Sequence, residues 1–95
     1  MSARLKTKLI TLTGTAQSLS TLFGFTDETF FSSISLRSAP SNLYNITWSD
    51  ENNDPGGVLE PGDAATIDVS GKFVKTTAFK LLGTAGEKVY VTLVE

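Results

Sequence analysis

The chain has 95 residues, 40% of them apolar and 19% charged, with 8 basic against 10 acidic side chains for a net charge of −2. A chain this short makes one domain and buries only about 60–65% of its unfolded surface, so a lone monomer is marginal and partner chains have stability to add. With neither Cys nor His, disulfides, thiolate nucleophiles, Ser-His and Cys-His catalytic pairs, Cys/His zinc sites and the usual haem ligands are excluded together.

Arg4, Lys6 and Lys8 open the chain, and its first apolar run is only Leu9-Ile10. That is far short of a signal-peptide core of about 7–15 residues or a membrane span of about 20, so the sequence predicts neither secretion nor a membrane partner and places synthesis in a cytoplasm. Met1 to Lys8 reads as an extended basic arm reaching a neighbour or as a frayed terminus. Leu5 to Thr13 alternates as a strand of mixed faces whose lysines suit an edge. Leu19, Leu22 and Phe23 then fall at helical spacing, with Thr15 as a candidate cap and Gly24 as a stop. This predicts a short helical turn over about residues 16–23, with an extended segment as the alternative.

Phe30 to Ser38 reads as the central core strand, with Phe30, Ser32, Ile34 and Leu36 on the apolar face. Pro40 breaks it. Tyr44, Ile46 and Trp48 alternate inward over a strand from Tyr44 to Ser49, and the polar run Asp50 to Gly57 follows as an exposed loop. Val58 and Leu59 return to the core. Pro61 and Gly62 suit the centre of a type II turn, and Ala65 to Val69 is a further strand. Phe79 to Leu82 and Lys88 to Val94 flank a Gly-rich turn and read as a hairpin, with Val89, Val91 and Leu93 on one face. Six or seven strands without a crossover helix predict an all-β domain, a small antiparallel β-sandwich or jelly-roll-like barrel, and exclude a βαβ fold.

Chemical motifs are sparse. Asp50, Asn52 and Asp54 mimic the first oxygen positions of a calcium loop, but Pro55 replaces the flexible Gly and Pro61 the bidentate Glu. Asp50, Glu51, Asp54 and Glu60 are therefore read as an exposed acidic loop. Gly83 to Lys88 lacks the spacing of a phosphate loop and runs into a strand. The predictions are no enzyme activity, no cofactor, no metal site and, with acid in excess and no basic stripe, no nucleic-acid partner. Tyr44, Trp48 and Tyr90 are candidates for an aromatic platform against a sugar ring, with Tyr44 and Trp48 its expected contacts.

Leu36 to Asn42, Ile46 to Asp50, Leu59 to Asp63 and Leu82 to Val91, with Thr13 to Leu19 before them, resemble small β-proteins encoded among the structural genes of tailed bacteriophages. The resemblance implies a virion structural protein with no catalytic residues. For a free-standing chain of this size it implies a capsid decoration or cement protein, binding the major capsid protein on the shell surface as a homotrimer. A tail, neck or baseplate component is the alternative within the same resemblance, and a glycan or host-surface binding module the alternative outside it. Arg4, Lys6 and Lys8 are the expected shell or neighbour contacts.

Overall fold

The computed structural model describes residues 5–69 and 71–95. Ten strands follow one another: β1 (Leu5–Thr11), β2 (Gln17–Ser18), β3 (Phe30–Phe31), β4 (Ser33–Ser38), β5 (Ile46–Asp50), β6 (Pro55–Leu59), β7 (Ala64–Asp68), β8 (Val74–Lys75), β9 (Phe79–Leu82) and β10 (Lys88–Val94). A helix, α1 (Leu19–Phe23), and a single 3-10 turn at Thr76–Ala78 complete the described elements.

The pairing is nested. β1 pairs with β10, β2 with β9, β3 with β8, β4 with β7 and β5 with β6, all antiparallel. The chain is thus one long hairpin folded at the β5–β6 turn. Such a ribbon is too weak to stand alone and carries an apolar face along its length. It rolls up so that β10 also pairs with β4 and β9 with β5, giving sheets in the order β1-β10-β4-β7 and β2-β9-β5-β6. This is the strand order of a jelly roll, and the all-β sandwich expected from the sequence is present. Among the described residues seven strands have four or more residues.

The core lies between the two sheets. Val89, Val91 and Leu93 of β10, Ile34 and Leu36 of β4 and Ile10 of β1 meet Ile46, Leu59, Phe79 and Leu81 of the other sheet, all buried. Period-two alternation on β10 sorts these faces as its sequence predicts. Pro61-Gly62 also turns as expected: Gly62 has φ 86° and the Asp63 amide donates to the Glu60 carbonyl at 2.9 Å.

Several expectations change. The strand from Phe30 to Ser38 is broken at Ser32, whose amide donates to the Val94 carbonyl while its own carbonyl accepts from Val69. This one-residue irregularity exchanges faces. Phe31 is therefore the buried ring, and Phe30 is exposed. Tyr44 falls before β5 and is exposed, leaving Ile46 and Trp48 as the inward residues of that strand. Pro55, Gly56 and Gly57 belong to β6 rather than to a loop, because an edge strand tolerates Pro at its first residue and Trp48 packs against the two glycines. Val58, expected in the core, is exposed. Phe79 to Leu82 and Lys88 to Val94 are not a hairpin, since they lie in opposite sheets and the segment between them crosses from one layer to the other. α1 starts later than predicted: Ser18, not Thr15, caps it, with Oγ accepting from the Thr21 amide at 3.2 Å, and Gly24 in the left-handed conformation closes it.

Candidate interaction surfaces

Register along β1, β10, β4 and β7 lays out the solvent face of the first sheet in rows. Leu9, Tyr90, Arg37 and Ala64 form one row, Thr7, Thr92, Ser35 and Thr66 the next, Leu5, Val94, Ser33 and Asp68 the third. The β1–β10 half of these rows carries no charge, and Leu5, Leu9 and Tyr90 are 67%, 46% and 49% exposed. A run of uncharged β-branched, hydroxyl and apolar side chains on a sheet face is the kind of patch that another surface covers.

Lys6 and Lys8 lie on the opposite face of the same strand, pointing across the edge of the sandwich. Lys8 Nζ donates to the Leu22 carbonyl at 2.9 Å, and Lys6 Nζ sits 5.9 Å from the centre of the Phe25 ring. Inward-turned lysines on an edge strand discourage strand-to-strand pairing with another copy. Both ammonium groups are thus engaged within the domain, and residues 5–8 are hydrogen-bonded into β1 rather than forming an arm. Arg4 and the rest of Met1 to Arg4 lie outside the described residues.

The acidic residues divide between two turns. Asp50, Glu51 and Asp54 sit at one end of β6 and Glu60 at the other, about 16 Å away for five residues of strand. Asp50 spends its carboxylate on its own turn: Oδ1 accepts from the Asn52 and Asp54 amides at 2.8 and 3.0 Å. Asp63 does the same for the Glu60 amide. Among the described residues no three carboxylates gather closely enough to hold a metal ion.

Trp48 is half-buried and stacks on Phe79, Tyr44 lines a separate cleft and Tyr90 lies on the solvent face of the first sheet, so the three rings do not form one platform. That cleft, about 340 Å³, lies between the segment 41–44 and the turn 84–88. Asn42 builds its wall. Its Nδ2 donates to Ser38 Oγ at 2.9 Å and to the Lys88 carbonyl at 2.6 Å, and its Oδ1 accepts from the Lys88 amide at 2.8 Å. Glu87, 8% exposed, accepts from the Leu43 amide. An aromatic groove at the other end of the sandwich is lined by Phe25, Phe30 and Phe73, with Lys6, Asp27, Glu28 and Glu95 at its margin.

Leu9, Glu87 and Asn42 were not among the residues singled out by sequence, and Tyr90 was singled out only for the aromatic platform. The mixed faces of β1 hinted at Leu9, but nothing in the spacing of Glu87 or Asn42 signals burial. Compared with family models, curated proteins and solved structures, the chain matches none.

Proposed function

We propose that this chain is a non-catalytic virion structural protein, most specifically a capsid decoration protein that sits on the shell as a homotrimer and stabilises it. The three uncharged rows of the β1–β10 outer face support this reading, because Leu5, Leu9 and Tyr90 are exposed there on a domain too small to bury them itself. Trimeric docking multiplies modest single contacts through effective concentration. Jelly rolls recur in viral capsid and lectin domains, an analogy of fold that by itself assigns no function.

The β1 lysines favour docking by the face over extension of the sheet at its edge. Shell proteins and neighbouring copies are the partners this reading requires, and no chemistry at a reactive centre enters it. A location at the tail, neck or baseplate is the second reading, served by the same face. Immunogold electron microscopy of particles from the source organism, with antibody raised against this chain, tests it: label over the shell is the expected result. Label confined to tails moves the protein to the second reading, and particles free of label contradict both.

A further inference from the structure

We infer that the cleft beside Tyr44 is a socket for a basic side chain, the guanidinium of an arginine on a partner protein, with Glu87 as its counter-charge. The inference does not depend on where the protein resides. Glu87 is only 8% exposed, and both of its carboxylate oxygens turn to a single donor, the Leu43 amide, at 3.2 Å each. An ionised carboxylate offers about four acceptor sites, and the Leu43 amide is the protein group that donates to it here, so an incoming guanidinium finds acceptor sites to use. No basic side chain among the described residues lies within ion-pair distance of it. Buried charges are ordinarily paired, and a guanidinium seated in the cleft would supply that pairing.

The surroundings suit that donor. The cleft, about 340 Å³, has room for one long side chain. Exposed Leu43 and Tyr44 line it beside Glu87, offering apolar surface to a methylene stem and an aromatic ring to a planar cation. A guanidinium presents a fork of donors to a carboxylate, which a lysine ammonium does not. The wall is fixed before any ligand arrives, because Asn42 ties its segment to both backbone groups of Lys88. Lys88 also lines the cleft with an exposed side chain, whose charge opposes the incoming cation.

Titrating the ¹⁵N-labelled chain with acetyl-arginine amide at low salt tests the socket, with acetyl-citrulline amide as the uncharged isostere. The Leu43, Glu87 and Lys88 amides should shift saturably with the arginine probe and remain still with citrulline. Glu87→Gln should weaken binding roughly tenfold while leaving the thermal midpoint unchanged or higher, because the amide keeps the bond to Leu43 without a buried charge. Lys88→Met should tighten binding about twofold and serves as the test if the Gln variant fails to fold. Equal shifts with citrulline, unchanged binding by Glu87→Gln, or the same amides responding to acetate instead would overturn the inference. The titration needs only the isolated chain, so its failure is distinct from an absence of label on particles.

Discussion

Trp48 lies flat against Phe79, with ring centres 5.5 Å apart and planes within 7° of parallel. Phe31 meets Phe79 edge-on, at 6.1 Å and 83°. The glycines of β6 complete the enclosure: a Cβ on Gly57 would lie 2.6 Å from Trp48 Nε1. This ring stack joins β3, β5 and β9 and accounts for a Gly-Gly pair within a strand.

Gly57→Ala therefore forces the indole to move. The expected cost is about 1–3 kcal/mol, the usual range for overpacking. Denaturant unfolding followed by Trp48 fluorescence checks it, and the native emission should shift to the red as the ring is pushed into solvent.

Asn42 fastens the segment after β4 to the start of β10. Asn42→Ala removes the side-chain acceptor of the Lys88 amide, while the Lys88 carbonyl keeps its bond from the Ala39 amide at 3.1 Å, and should cost about 1–3 kcal/mol. Asn42→Asp should be worse at neutral pH, since a carboxylate would face the Lys88 carbonyl. That environment raises the folded-state pKa of the new carboxyl, so folding takes up a proton and the variant's stability should recover as pH falls. Thermal midpoints across pH 4–8, a range of roughly four units around carboxyl titration, read this directly.

Lys75 and Glu28 form an exposed ion pair at 2.9 Å. The hydrogen bond and charge of Glu28 hold the Lys75 ammonium above the ordinary lysine value of 10.5. A raised lysine contributes stability that is complete below the unfolded value and lost as pH rises through the folded one. Glu28→Gln should accordingly bring the Lys75 titration down in an NMR pH series, with little change in neutral-pH stability because the pair is solvated.

Local pattern carried most of the architecture. Val89, Val91 and Leu93 alternate cleanly because β10 has one face in the core and one in water, and the same logic finds β4 and the Pro61-Gly62 turn. Alternation fails where tertiary pairing decides. The slip at Ser32 depends on Val94, 62 residues away. The crossing between β9 and β10 uses the same Gly-rich turn chemistry as a hairpin, so only the partners of each strand distinguish the two. Gly56 and Gly57 read as loop because the indole that covers them belongs to another strand. The surfaces were less legible than the core: Lys6 and Lys8 look like free charges in sequence, yet the Leu22 carbonyl and the Phe25 ring engage them. Glu87 reads as a turn residue, and its burial comes from a segment more than 40 positions earlier.

The account rests on the outer face of the first sheet being covered by other molecules. Light scattering of the purified chain, beside a Leu9→Lys, Tyr90→Lys variant, measures this most directly. The account predicts a trimer for the natural sequence and a folded monomer for the variant. A natural chain that stays monomeric at high concentration, or a variant that remains trimeric, would contradict it.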